Sequence, residues 1–287
     1  MCEAATQAGA PAPQARFAPG ILSVLSWPLI AFLVVYILMP IVVTLLMSFN
    51  DAQMIRFPIT NWSLRWYEDF FNSGQWTEAL TNSIVIALGT TAISTSTGIL
   101  AAWAFERYRI PFGRFWYFLI ILPLFMPGVV LGLGVAIAFG GIQIGSISLY
   151  GSRGLVMLAH SLWAMPLVFM LMEATFKTVD YKVVEASYDL GGRPVRTFFE
   201  IVLPMVSTGI TSSALFAFVI SLNEFVMALF LTDRDTQTLP VLMWLSLRSA
   251  GTPRLAVASV ILALTVFACL TLIMVWYVRQ LRKVATK

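Results

Sequence analysis

The sequence predicts an all-α membrane protein of six transmembrane helices with a structured polar connector between the fourth and fifth, and three observations carry that prediction. Hydrophobic residues make up 59% of the 287 and charged residues 11%, with a mean hydropathy of +0.85, whereas soluble domains carry about a quarter charged residues. Six segments are apolar over the length a bilayer requires: about 20 residues, since a helix rises about 1.5 Å per residue and the hydrocarbon core is about 30 Å thick. The cationic residues also divide unevenly between the two ends of those segments.

Residues 1–20 are rich in Ala, Pro and Gln with a single Arg16, lacking both the basic start and the apolar centre of a secretory signal. They are expected to form a disordered cytoplasmic tail ahead of one six-span domain over 21–287. The first span is expected at Leu22–Met47 and the second at Ser83–Phe105. The third, Phe115–Phe139, contains Pro123 and Pro127, each of which removes an intrahelical hydrogen bond and can kink the helix. Gly128 and Gly132 follow as a small-xxx-small face that admits a neighbouring helix. These four residues fit either a gate or the packing of a bent bundle.

The fourth span, Leu155–Phe176, starts around His160, for which a structural hydrogen bond is expected. The fifth, Met205–Leu231, holds an acidic residue deep in apolar sequence. On a continuous helix Ser221 and Glu224 share a face with Gly209, Ser213 and Ala217, so Glu224 faces protein or water, about six residues and roughly 9 Å beyond the helix middle. Carboxylates at membrane depth are costly and mark a pathway or an internal pair. Ser221, Asn223 and Glu224 are the pathway candidates, and a structural pair is the other reading of Glu224. The sixth span is expected at Leu255–Val278.

Lys and Arg set the orientation, because cationic loops are retained on the cytoplasmic side. Twelve of the eighteen fall on one face: Arg16, the 107–114 cluster, the 177–196 cluster and the C-terminal group from Arg279 to Lys287. Both termini and the connector are therefore expected in the cytoplasm.

That connector reads Glu185-Ala186-Ser187-Tyr188-Asp189-Leu190-Gly191 and, after nine more residues, Ile201-Val202-Leu203-Pro204. Val183, Ala186, Ser187 and Leu190 recur at helical spacing, giving a short helix with one small, apolar face while Glu185 and Asp189 point elsewhere. Gly191-Gly192 stops it, and Pro194 starts a second short helix through Phe198. Periodicity alone fits an amphipathic elbow on the membrane surface. The full motif resembles that of the permease subunits of binding-protein-dependent ABC importers, with Ser187 in place of the usual second Ala. Leu122 to Gly132, Ser221 to Val226 and Thr238 to Trp244 resemble signatures of the spermidine/putrescine-type subgroup, and the likeness covers most of Leu22–Val278.

The resemblance implies a type I ABC permease fold. Glu185, Ala186, Ser187, Asp189, Leu190, Gly191 and Phe198 would then form a coupling helix docked on an ATPase. It implies a bacterial inner-membrane subunit paired with a second permease, a homologous heterodimer being expected. Two ABC ATPase subunits and a periplasmic solute-binding protein complete the assembly, with lipid around it and no nucleic acid. The solute expected is a polyamine; opines, aminoethylphosphonate, thiamine or ferric ion are alternatives within the class, and an ion-coupled secondary transporter is the alternative outside it.

The residues themselves agree on what is missing. No Gly-x-x-x-x-Gly-Lys-Ser/Thr loop occurs and none of the four lysines follows a glycine, so the chain is expected to be non-catalytic, with ATP and magnesium on the partner ATPases. Cys2 and Cys269 have no metal-ligand spacing and His160 no partner of ligating type, so no metal site or other cofactor is expected in this chain.

Overall fold

The computed structural model describes residues 21–285 other than 57, 60, 146 and 250, so the expected N-terminal tail lies outside the described residues. The chain divides at Leu45 into two compact units. The first contains most of α1, Ile21–Met47, whose internal Pro28 and Pro40 interrupt its hydrogen-bond ladder. Thr44 Oγ1 donates to the Pro40 carbonyl at 2.8 Å.

The second unit opens with α2, Arg65–Asn72, and then α3, Gly74–Arg107. At 34 residues α3 is much longer than the expected Ser83–Phe105 span, and at about 1.5 Å per residue it overruns the hydrocarbon core. The third span is not one kinked helix. It is α4, Gly113–Ile121, a tight turn over Leu122–Phe125, and α5, Gly128–Phe139, with the two arms bent by 106°. Pro123 and Pro127 bracket the break, and Pro127 has the extended ψ of 136° that ends the first arm. A two-residue hairpin, β1 Gln143–Ile144 with β2 Ile147–Ser148, leads to α6, Arg153–Phe176, whose first turn is capped by Ser152 Oγ accepting from Leu155 N–H at 3.2 Å.

The connector follows as α7, Tyr181–Asp189, and α8, Pro194–Thr197; a π-turn over Phe198–Val202 and α9, Leu203–Met205, carry the chain onward. The fifth span is also broken: α10, Ser207–Asn223, stops, Glu224 takes an extended ψ of 124°, and α11, Val226–Leu231, restarts. The continuous helix expected over Met205–Leu231, and with it the 9 Å offset of Glu224, is therefore corrected. The chain closes with α12, Leu239–Ser249, and α13, Arg254–Ala285. Among the described residues four helices are long and apolar enough to cross a membrane, and up to six if two bent pairs each count as one: Gly113–Phe125 with Gly128–Phe139, and Pro194–Met205 with Ser207–Asn223, the latter bent by 76°.

In lipid, apolar burial gives little drive for helix association, and close packing of small residues takes its place. This is visible where α3 runs alongside α6: a Cβ on Gly98 would lie 2.6 Å from Val168 Cγ1. Ala102, Ala159, Ala164, Ser213 and Ala217 are likewise buried where α3, α6 and α10 meet. At the end of the bundle away from the connector, Asn82 Nδ2 donates to the carbonyls of Asp235 and Gln237 at 2.9 and 3.1 Å, and Ser83 Oγ accepts from Leu239 N–H at 2.7 Å. These bonds tie the loop before α12 to α3. Arg254 pairs with Asp69 and lies over the rings of Trp66 and Trp76, at 5.8 and 5.7 Å, fixing α2 to the start of α13.

Candidate coupling surface and pathway residues

Asp180 starts α7, its Oδ1 accepting from Lys182 N–H at 3.1 Å. The helix ends in a Schellman turn: Gly192 N–H donates to the Ser187 carbonyl at 2.8 Å and Gly191 N–H to the Tyr188 carbonyl at 2.9 Å. Gly191 has φ +82°, a left-handed conformation that a residue with a Cβ adopts only at a cost. Ser187 Oγ and Thr197 Oγ1, 2.9 Å apart, bond α7 to α8. Ser187 therefore does more than replace a small alanine, since it supplies a hydroxyl that alanine lacks.

Helical spacing splits α7 into two faces. Tyr181, Val184 and Tyr188 turn inward, Val184 being only 1% exposed. They meet Phe176, Phe198 and the last turns of α3, where Trp103 packs at a tilt against Phe176 and Phe198 with ring centroids at 5.3 and 5.4 Å. Arg107, the last residue of α3, lies over the Tyr188 ring at 5.8 Å. Burial, followed by the charge of Glu106, pushes the Tyr181 phenol up to about 12, so it stays protonated.

The opposite face is exposed: Val183, Glu185, Ala186, Asp189 and Leu190, the last at 90%. Val183, Ala186 and Leu190 among these are the apolar side that the periodicity marks, and it faces away from the protein's own core, while Glu185 and Asp189 are exposed on its flank. Between α7 and α8 it borders a cleft of about 420 Å³ whose walls include Val183, Ala186, Leu190 and Arg196. Of the predicted coupling residues the structure gathers Glu185, Ala186, Ser187, Asp189, Leu190 and Gly191 on α7 and its turn. Phe198 is instead buried beneath them as part of the seat.

The pathway candidates separate. Ser221 is buried, its Oγ 2.9 Å from His160 Nδ1, which identifies the partner of the hydrogen bond expected for His160. Glu224 is 6% exposed and its Oε1 accepts from Met227 N–H at 2.7 Å, capping α11 where the span restarts. Asn223 lies about 200° around the helix from Ser221; it is exposed and bonds back to the Val219 carbonyl at 2.8 Å. The gate candidates sit at the other break. Gly128 is covered by Trp163 and Val226, and a Cβ on Gly132 would lie 2.9 Å from Met227 Cα. Trp163, which no sequence motif marks, donates its indole N–H to the Pro123 carbonyl at 2.9 Å.

Long apolar helices packed through small residues, two bent helix pairs and a Schellman-stopped helical pair between α6 and α10 make up a multi-helix membrane protein with a structured connector, and the family match assigns it to the permeases of ABC importers. Residues 94–286 match the family described as binding-protein-dependent transport system inner membrane component, and the chain belongs to that family. It is thus a multi-pass inner-membrane permease subunit, and hydrolysis of ATP falls to partner ATPases. The putrescine transport system permease protein PotI of Escherichia coli (strain K12) is 31% identical over 231 residues, covering 78% of this chain and 80% of the relative. The spermidine/putrescine transport system permease protein PotC of the same organism is 25% identical over 236 residues, covering 80% and 85%.

Solved structures agree on the fold. A bacterial ABC transporter involved in the import of the acidic polysaccharide alginate superposes with a TM-score of 0.74 at 14% identity, covering 91% of this chain and 96% of that one. The MetNI methionine ABC transporter, in inward-facing conformations, superposes with a TM-score of 0.55 at 17% identity, covering 74% and 99%.

Proposed function

We propose that this chain forms half of the membrane pathway of a polyamine importer and that the exposed face of α7 is its ATPase contact. The observation that carries the reading is the two-sided connector: Val184, Tyr188 and Phe198 fasten it to α3 and α6, while Val183, Glu185, Ala186, Asp189 and Leu190 stand free. A rigid seat is what a push from outside requires if it is to reach the spans rather than be absorbed locally. The polyamine assignment is supported by the putrescine and spermidine/putrescine relatives. A fold shared with an alginate importer selects no solute.

In this reading each bent pair is one span, six in all, and the termini and α7 lie in the cytoplasm. A second, homologous permease completes the pathway. Two ATPases bind ATP and its magnesium, and a periplasmic binding protein delivers the solute. Closure of the ATPases presses the two α7 helices together and opens the cavity outward; hydrolysis returns it inward. Asn223 offers an amide to the solute. Glu224, with one oxygen holding the Met227 N–H, supplies negative charge at the same level.

The test is reconstitution of the co-expressed complex in proteoliposomes with the binding protein and labelled putrescine. ATP-dependent uptake, with the ATPase retained through purification, is the expected result. Uptake driven by an ion gradient without ATP would make the chain a secondary transporter. Uptake of an opine, phosphonate, thiamine or ferric ion in preference to putrescine would leave the permease reading intact and remove the solute.

A further inference from the structure

Between α3 and α4 the chain reads Arg107-Tyr-Arg-Ile-Pro-Phe-Gly-Arg-Phe-Trp116, and no acidic residue occurs from Arg107 through Ile121. Gly113 N–H donates to the Ile110 carbonyl at 3.0 Å, closing a turn with Pro111 and Phe112 at its corners. The third position of such a turn, when left-handed, is normally glycine. Here Phe112 occupies it, with φ +55°, while the glycine stands one residue later. The chain thus accepts backbone strain at a bulky residue, a feature that clusters at functional sites.

What the strain achieves is visible in exposure: the Phe112 ring is 84% exposed at the tip of the turn. Tyr108, Phe115 and Trp116 around it are exposed as well, the last two in edge contact with centroids at 5.5 Å. Arg109 and Arg114 are exposed and form no ion pair among the described residues, while Arg107 is held over Tyr188. Tyr108 also forms one wall of a cleft of about 250 Å³ shared with Leu100, Trp103, Val195 and Phe199, so the basic rim borders an apolar slot.

We infer that this segment is a binding site for an anionic phospholipid of the inner leaflet, with Arg109 and Arg114 on the headgroup and Phe112, Phe115 and Trp116 among the acyl chains. The inference rests on reading α4 and α5 as one span, which puts the turn at the membrane surface. Aromatic rings favour that interface, and clustered arginines are attracted to anionic headgroups, the adjacent Glu106 offsetting one of the three charges. An outward phenylalanine flanked by exposed aromatic and arginine side chains matches the apolar-below, charged-above layering of a lipid surface, and a protein contact is the alternative that lipid retention separates.

The site lies at the connector end of the bundle, since Arg107 reaches Tyr188. Native mass spectrometry of the purified complex, released from micelles supplied with equal phosphatidylglycerol and phosphatidylcholine, counts lipids retained on this chain and needs no transport activity. Phosphatidylglycerol should be retained in preference, and the Arg109→Gln, Arg114→Gln double variant should lose that preference, by about fivefold for each guanidinium removed. Arg109→Lys, which keeps the charge, should retain it and serves if the double variant fails to assemble. Phe112→Gly, which relieves the strain, should weaken retention of both lipids without lowering the melting temperature. An unchanged preference in the double variant overturns the inference. So does loss of the ATPase from the double variant with lipid retention intact, which would make the patch a protein contact. A complex that never held an ATPase would defeat the importer reading while leaving the lipid count interpretable.

Discussion

Replacing Gly191 with Val tests the connector through its backbone alone. A Cβ at Gly191 meets nothing within 4 Å, so no steric clash with neighbours enters the cost. What remains is φ +82°, which a β-branched side chain resists by about 1–3 kcal/mol, equivalent to depopulating the native turn about 5- to 150-fold. The Schellman bonds from Gly191 and Gly192 to Tyr188 and Ser187 would be released with it. A nine-residue helix has little stability of its own once its end is loosened. Asn tolerates the left-handed region far better than Val, so Gly191→Asn should keep most activity while Gly191→Val loses it. The assay is ATP-dependent putrescine uptake alongside immunoblotting for membrane insertion, which both variants should pass. Equal uptake by the two variants, whether normal or absent, would refute the backbone argument, which requires Asn to hold the left-handed turn better than Val.

Other outcomes follow from the same geometry. Glu185→Arg reverses charge on the exposed face of α7 and should reduce retention of the ATPase on purification while leaving the chain's own melting temperature unchanged. Arg254→Ala removes the partner of Asp69 and the cation over Trp66 and Trp76; partial exposure limits the cost to about 1–2 kcal/mol, seen as a lowered melting temperature. A cysteine at Ser187 should react with membrane-impermeant reagents only from the cytoplasm and one at Ser73 only from outside; the reverse pattern would invert the orientation. Glu224→Gln keeps an acceptor for Met227 N–H and should preserve assembly while cutting polyamine uptake, whereas Glu224→Ala should lose both; uptake that survives the Gln change would confine Glu224 to its capping role.

The connector was the most legible part of the chain because its signals are local. A glycine pair after a helical repeat and a proline three residues later specify a stop and a restart without reference to any distant residue, and α7 and α8 appear where those signals put them. Direction was harder: spacing shows that Val183, Ala186 and Leu190 share a side, but only the aromatic seat formed by Trp103, Phe176 and Phe198 shows that Val184 and Tyr188 are the side that is buried. The break at Glu224 also carries a local signal. Asn223-Glu224 is a polar pair interrupting an apolar run, and a side-chain oxygen accepting the N–H three residues on is how a helix begins, here supplied by Glu224.

Prolines alone do not explain why the chain can break between α4 and α5 and between α10 and α11. In hydrocarbon every freed backbone group must find a partner, and the partners come from elsewhere in the fold. Trp163 on α6 supplies the N–H that takes up the Pro123 carbonyl, and Glu224 supplies the oxygen that takes up the Met227 N–H. The two breaks then depend on each other. Gly128 and Gly132, just after the first, lie against Val226 and Met227, just after the second, at distances that leave no room for a Cβ on Gly132. Had either span continued straight, the other would lose the surface on which its restarted segment packs. The small-xxx-small pair read from the sequence as a generic helix contact is therefore specific: it is where the continuation of one broken span rests on the continuation of the other.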